Sequence, residues 1–325
     1  MEAIKMRYAK ELLLGLSLVL LVACNQTENE VGAEKTDDLT DVQIMLDWYP
    51  NAVHTYLYVA QEKGYFEEEG LDVEIIFPAN PTDPINLAAT GDVTFGITYQ
   101  PDIITAQQSG IPIEAVAPVV RSPLNHIIYL DETIETPADL EGKKVGYPGI
   151  PVNEVLLETM VTDAGGDSDQ VELVDVGFEL GSSLVTERVD AVIGAYINHE
   201  VPVLKHEGFD VQYFNPVDFG VPSFHELVIV TNETMIDENP STVEAFNRAI
   251  VKGYNDMKEN PAESLDILFE HEDQENFPLI REVEEESLDI LLTKMESDEE
   301  PFSSPNEEVW EETVKWLSDT GFLEE

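Results

Sequence analysis

The stretch that decides the fold is Val42-Gln43-Ile44-Met45-Leu46, followed by Asp47-Trp48-Tyr49-Pro50-Asn51-Ala52-Val53-His54. Its first part is apolar and partly β-branched, which is typical of a buried strand, and Pro50 ends that pattern. Ligand-binding loops of open α/β sheets lie at such junctions, outside the carboxyl ends of the strands. An acid, an indole, an amide and an imidazole so close together predict a recognition loop. Taken singly, Trp48 and His54 are also compatible with core positions.

Strand-like runs alternate with helical patterns along the rest of the chain. The predicted strands are 72–77, 93–97, 113–120, 144–147, 171–176, 191–195 and 227–230. Long amphipathic stretches, two of them opening on proline, then predict helices at 240–259, 261–269 and 306–317. This pattern favours an α/β fold with mostly parallel sheets flanked by helices and a largely helical C-terminal part.

Two short apolar strands, 125–130 and 225–230, bracket a middle block that has its own alternation of strands and helices. We interpret these strands as hinge crossovers between two lobes. Lobe 1 then consists of residues 41–124 plus 231–325, and lobe 2 consists of residues 125–230. The sequence leaves one alternative open, a single continuous doubly wound domain.

The composition excludes several classes of partner. Among 325 residues, 67 are acidic and 16 are basic, so the formal net charge is -51. Such a charge repels nucleic acid phosphates and anionic lipid surfaces. The acidic residues are spread through the chain, which indicates a solvated surface around packed cores and no nucleic acid partner.

The N-terminus has the pattern of a secretory signal. Basic residues precede an apolar run at 12–22 that is too short to span a membrane comfortably, and the run closes on Leu21-Val22-Ala23-Cys24. This junction resembles the lipobox of bacterial lipoproteins. It predicts a signal peptide at 1–23, a lipidated Cys24, an acidic flexible tether at 24–40, and a location on the outer face of the cell membrane. Cys24 is the only cysteine, so the chain has no intrachain disulfide.

Several motifs resemble known binding proteins. Residues 62–66, 70–73 and 91–97 resemble the opening lobe of type II periplasmic-binding-protein domains. Within that superfamily, Asp47-Trp48-Tyr49-Pro50-Asn51 with His54 resembles the branch that holds formylaminopyrimidine-binding proteins and yeast-type pyrimidine synthases. Further runs that resemble this branch are Gly146-Tyr147-Pro148-Gly149, Val176-Gly177-Phe178 and 188–200, with its Tyr-x-Asn-x-Glu end. The resemblance extends from residue 41 to about residue 260 and implies a two-lobed fold with the ligand in the interlobe cleft.

The resemblance also implies a ligand and a site. The ligand would be N-formyl-4-amino-5-aminomethyl-2-methylpyrimidine or a close analogue, delivered to an ABC permease and its ATPase for thiamine salvage, with no cofactor. An aminopyrimidine has a π face and an edge of donors and acceptors, which call for aromatic walls and a carboxylate or amide. Glu200 is the first candidate for the amino group and ring nitrogen. The candidate ligand-binding residues are Asp47, Trp48, Asn51, His54, Tyr99, Tyr147, Gly149, Tyr196, Asn198, Glu200 and Glu226.

Two rival functions belong to relatives with the same fold. Yeast-type synthases carry a cysteine-rich iron motif and use a lysine and a histidine near the third strand, whereas residues 96–108 contain neither and Cys24 lies in the signal. Binding proteins for alkanesulfonates, taurine or nitrate need basic groups or helix N-termini, and the candidate loops offer mainly acids and aromatics. Arg121 is the exception. The sequence therefore predicts a non-enzymatic binding protein without a metal site.

Overall fold

The computed structural model describes residues 39–323, so the predicted signal peptide, Cys24 and nearly all of the predicted tether lie outside the described residues. The strands are β1 (Thr40–Met45), β2 (Leu71–Ile76), β3 (Phe95–Thr98), β4 (Ile113–Val120), β5 (Asn125–Tyr129), β6 (Lys144–Tyr147), β7 (Glu172–Asp175), β8 (Ala191–Tyr196), β9 (Gln212–Phe214) and β10 (Leu227–Asn232). The α-helices are α1 (Thr55–Glu62), α2 (Tyr65–Glu68), α3 (Asp83–Thr90), α4 (Gln100–Gln108), α5 (Val152–Asp163), α6 (Leu180–Val185), α7 (Glu200–His206), α8 (Glu233–Glu238), α9 (Pro240–Glu259), α10 (Pro261–Glu270), α11 (Arg281–Leu292) and α12 (Glu307–Asp319).

The strands form two five-stranded sheets, in the orders β2-β1-β3-β10-β4 and β7-β6-β8-β5-β9. The predicted α/β class is confirmed, but the sheets are mixed and not mostly parallel. Strands β1, β2 and β3 are parallel, as are β6, β7 and β8. The reason lies in β10 and β5, which each arrive from the other sheet and run antiparallel to both of their neighbours.

The chain passes between the sheets twice in the described part, at residues 121–124 and at residues 215–226. Since β5 pairs within the second sheet and β10 within the first, the sheet pairing moves the proposed crossovers from residues 125–130 and 225–230 to these segments. We keep the division into lobes as a proposal with the adjusted boundaries, and use lobe 1 for the part built on the first sheet and lobe 2 for the part built on the second.

The C-terminal helices complete lobe 1. Helix α9 begins with proline at its first position, where the missing N–H costs nothing, and buries Phe246, Ile250 and Tyr254 along one face. A Cβ at Gly253 would lie 2.2 Å from the carbonyl oxygen of Tyr56, so glycine lets α9 approach α1 closely. Helix α11 was not predicted, because the acidic run at 282–286 masks its apolar face. None of the helices within residues 39–323 combines the length and the apolar character that crossing a bilayer requires.

Candidate functional site

The recognition loop after β1 is held by the buried polar side chains of Asn51 and His54. His54 Nε2 lies 2.8 Å from Asp47 Oδ1, and the two side chains are 0% and 2% exposed. His54 Nδ1 accepts the backbone N–H of Asn51, so Nε2 carries the hydrogen that is donated to Asp47. Asn51 Oδ1 accepts the N–H of Val53, and its Nδ2 donates to the carbonyl of Tyr49. The predicted residues Asn51 and His54 therefore shape the loop that presents Asp47.

Two tyrosines from different lobes meet where the lobes join. Tyr99 precedes α4 in lobe 1, and Tyr196 ends β8 in lobe 2. Burial, followed by the nearby carboxylate of Asp47, raises the pKa of Tyr99, and burial, Tyr99 and Glu226 raise the pKa of Tyr196. No hydrogen bond of good geometry joins the two phenols, and Tyr196 Oη is buried without a partner among residues 39–323. The structure thus brings together four of the predicted site residues, Asp47, Tyr99, Tyr196 and Glu226.

Glu226 joins the two segments that run between the lobes. Its Oε2 accepts the backbone N–H groups of Leu124 at 2.7 Å and Asn125 at 3.0 Å, and the residue is 1% exposed. Burial raises the pKa of Glu226 to about 7, although these two hydrogen bonds and Lys294 act in the opposite direction. Lys294 Nζ lies 3.2 Å from Ser122 Oγ and so fastens the first segment to lobe 1. Glu226 is both a neighbour of the tyrosine pair and a tie in the hinge.

Asp102 is a candidate site residue that the sequence analysis did not single out. It lies in the first turn of α4, three residues after Tyr99, and its Oδ2 is buried without a hydrogen-bond partner in the described chain. Burial, followed by Glu226, raises the pKa of Asp102 to about 7, whereas the nearby backbone N–H of Val152 lowers it. Its position just beyond the carboxyl end of β3 was the available signal.

A cavity of about 280 Å³ borders Asp102. Lobe 1 contributes Thr98, Tyr99 and Asp102 to its wall, and lobe 2 contributes Ile150 and Pro151. A cavity at the carboxyl ends of strands and between two lobes is a common position for a small-molecule site.

The remaining predicted residues of lobe 2 have mixed surroundings. Glu200 Oε2 accepts the backbone N–H of Tyr196 at 2.6 Å, so one of its oxygens supports the end of β8. Asn198 is fully buried; its Nδ2 donates to Ser287 Oγ, and its Oδ1 has no partner among the described residues. Burial and the carboxylates of Glu154 and Asp175 raise the pKa of Tyr147, which is half-buried. Gly149 has a φ of 77°, and a Cβ there would lie 3.1 Å from Asp175 Oδ2.

Trp48 connects the lobes by aromatic packing. Its ring centroid lies 4.4 Å from that of Phe178 at an interplanar angle of 76°, and it packs against the apolar cluster of lobe 2 that includes Val176 and Leu180. Tyr49 stacks on Phe277 with the ring centroids 3.8 Å apart. An edge-to-face pair such as Trp48 and Phe178 is favourable beyond the area that it buries. Trp48 thus holds the recognition loop of lobe 1 against lobe 2.

Two α/β lobes joined by two crossings, with buried polar groups of both lobes at the junction, define the fold class of two-lobed periplasmic binding proteins. The alkanesulfonate-binding protein SsuA of Xanthomonas axonopodis pv. citri has this fold, with a TM-score of 0.68 and 14% identity over 89% of this chain and 96% of that one. Residues 51–264 match the family described as NMT1/THI5 like, and the chain belongs to that family.

Two relatives show the range of sequences that resemble this chain. The Formylaminopyrimidine-binding protein of Halalkalibacterium halodurans is 55% identical, over 98% of this chain and 96% of the relative. The 4-amino-5-hydroxymethyl-2-methylpyrimidine phosphate synthase THI11 of Saccharomyces cerevisiae is 26% identical, over 70% of this chain and 69% of the relative. The predicted family and fold are confirmed by these comparisons.

Proposed function

We propose that this protein is the extracytoplasmic substrate-binding component of an ABC importer and captures formylaminopyrimidine or a close analogue for thiamine salvage. The observation that carries the proposal is the 55% identity to a formylaminopyrimidine-binding protein, which extends over nearly the whole of both chains. The fold supports it, because other two-lobed proteins of this class are named as ABC-type ligand-binding components.

The chemistry at the lobe junction suits an aminopyrimidine. The rings of Tyr99 and Tyr196 offer aromatic surface, and the carboxylates of Asp47, Asp102 and Glu226 offer acceptors for an amino group. Closure of the lobes removes water from this region, and a lower local dielectric strengthens hydrogen bonds to the ligand. The hinge tie at Glu226 and the Trp48–Phe178 contact support such closure.

The anchoring and the transport partners follow from this role. We propose that the signal peptide ends at residue 23 and that Cys24 carries the lipid that holds the protein at the outer face of the membrane. A permease and its ATPase would receive the closed, loaded form. The lipid anchor lies outside the described residues, and the permease and ATPase are separate proteins, so both are proposals.

A synthase activity is the first alternative, because a distant relative is a pyrimidine phosphate synthase. Residues 96–108 contain no lysine or histidine, and the chain contains no cysteine beyond Cys24. The family resemblance places both features in the yeast-type enzymes. We therefore propose a binding role without catalysis.

Sulfonates, taurine and nitrate are the second alternative, because binding proteins for such anions share the fold. Arg121, in the first segment between the lobes, is the basic residue that an anion could use. Its Nε lies 3.2 Å from Glu300 Oε2, and its Nη1 donates to the carbonyls of Pro301 and Ser304. Its Nη2 is buried without a partner among the described residues, but Nε and Nη1 fasten the guanidinium to the C-terminal part of lobe 1. The carboxylates at the lobe junction disfavour an anion.

Calorimetric titration tests the proposal, with formylaminopyrimidine, hydroxymethylpyrimidine, thiamine and taurine added to the protein in parallel. We expect one-to-one binding of a pyrimidine and no binding of taurine. Binding of taurine alone, or of none of the four, would refute the proposed function.

A further inference from the structure

Asp102 offers an acceptor that nothing in the described protein uses. Its Oδ2 is enclosed and has no hydrogen-bond partner among residues 39–323, and the side chain borders the 280 Å³ cavity to which both lobes contribute. A buried polar atom without a partner costs free energy, and such atoms are rare in folded proteins. A ligand that donates a hydrogen bond to Oδ2 would remove this cost.

The other carboxylates at the junction each have one oxygen engaged within the protein. Asp47 Oδ1 receives the hydrogen of His54 Nε2, and Glu226 Oε2 receives two backbone N–H groups. Glu200, which the sequence favoured for the amino group, accepts the backbone N–H of Tyr196. One oxygen of each of these side chains has a structural task, whereas Asp102 Oδ2 is the carboxylate oxygen of this junction that is buried without a partner among the described residues.

We propose that Asp102 is the residue that distinguishes a 4-amino from a 4-oxo pyrimidine in this cleft, by accepting a hydrogen bond from the exocyclic amino group. The inference rests on the proposed function and adds which group of the pyrimidine the site recognises. At a pH above the pKa of Asp102, where the carboxylate is ionised, a 4-oxo group presents an acceptor to the same oxygen, so the two lone pairs repel each other. Sites built to bond one polar group reject analogues that lack it much more strongly than apolar pockets reject a change of size.

The surroundings of Asp102 favour a donor. Glu226 is a second buried carboxyl group close to Asp102, and the backbone N–H of Val152, at the start of α5, also faces the side chain. Tyr99, on the same turn, adds a phenol and aromatic surface. A neutral amino donor therefore finds acceptors in the carboxylates of Asp102 and Glu226.

A matched pair of ligands tests the inference. At mildly alkaline pH, where Asp102 is ionised, the protein is titrated with 4-amino-5-hydroxymethyl-2-methylpyrimidine and with its 4-oxo counterpart, as wild type, as Asp102→Asn and as Asp102→Ala. Asp237→Asn is the control, because Asp237 is exposed on α8 and distant in sequence from the cleft elements. Circular dichroism and thermal unfolding verify that each variant is folded.

We expect wild type and Asp237→Asn to prefer the amino ligand by at least about ten-fold, the size of one charge-assisted hydrogen bond. Asp102→Asn should lose this preference and gain affinity for the 4-oxo ligand, because its amide N–H can donate; Asp102→Ala should bind both ligands with similar affinity. An unchanged ratio of the two dissociation constants in both Asp102 variants would overturn the inference while leaving the proposed function intact. Failure of wild type to bind either pyrimidine would overturn both.

Discussion

Glu226 Oε2 lies 2.7 Å from the backbone nitrogen of Leu124, so a single carboxylate joins the two segments that connect the lobes. The N–H of Asn125 donates to the same oxygen at 3.0 Å. This arrangement couples the hinge to the site, because Glu226 also neighbours Tyr196 and Asp102. Changes at Glu226 should therefore alter both the stability and the closure of the protein.

Replacement of Glu226 by alanine should lower the free energy of unfolding by about 2–4 kcal/mol, because two buried N–H groups lose their acceptor. Glu226→Gln is the matched variant, since its amide oxygen can still accept both hydrogens, and it should lose distinctly less. Chemical denaturation of the three proteins measures the difference. Equal losses in the alanine and glutamine variants would show that Glu226 is not a tie between the segments.

The pH dependence of stability should also depend on Glu226. Because burial raises its pKa to about 7, the folded protein holds more protons than the unfolded chain at mildly acidic pH, and stability falls as the pH rises through this range. In Glu226→Gln, the free energy of unfolding should fall by less between about pH 5 and about pH 8, with a difference from wild type on the order of 2 kcal/mol. Glu132→Gln, an exposed control, should retain the wild-type dependence. If the free energy of unfolding of Glu226→Gln changed with pH as it does in wild type, the raised pKa could not belong to Glu226.

Asp47→Ala should destabilise the recognition loop, because His54 Nε2–H would remain buried without its acceptor. We expect a loss of about 1–3 kcal/mol in the free energy of unfolding, against less than about 0.5 kcal/mol for the exposed Asp41→Ala. Nitrogen NMR of wild type should show the His54 hydrogen on Nε2. A hydrogen on Nδ1 would be incompatible with the acceptance of the Asn51 N–H at that atom.

Phe178→Ala should weaken pyrimidine binding by about 3–10-fold, since the Trp48–Phe178 contact contributes roughly 0.5–1.5 kcal/mol to the closed arrangement of the lobes. The effect should appear mainly as faster ligand dissociation. Phe209→Ala removes an exposed phenylalanine from lobe 2 and provides the control. Stopped-flow fluorescence of bound and released ligand gives the rates. Equal dissociation rates in both variants would show that this contact does not stabilise closure.

Much of the fold was predictable from the sequence, because its signals are local. The runs at 113–120 and 144–147 and the amphipathic pattern at 240–259 coincide with β4, β6 and α9. The direction of β5 and β10 was not predictable, since pairing depends on where the chain enters the other sheet. Helix α11 was missed because Glu284 and Ser287 interrupt the apolar pattern of its buried face.

The site was predictable in its residue types but not in its bonding. Asp47, Tyr99, Tyr196 and Glu226 do lie close together. The sequence does not show that Glu200 is bonded to the Tyr196 backbone, or that Asp102 Oδ2 has no partner, since both depend on neighbours fixed by the fold. Their roles toward a ligand remain predictions.

A crystal structure of the protein with formylaminopyrimidine tests the account most directly, because it locates both the ligand and its contacts. We predict the pyrimidine between the lobes, against Tyr99 and Tyr196, with its amino group within hydrogen-bond distance of Asp102 Oδ2. Ligand bound elsewhere on the protein, with Tyr99 and Tyr196 unoccupied, would contradict the assigned site.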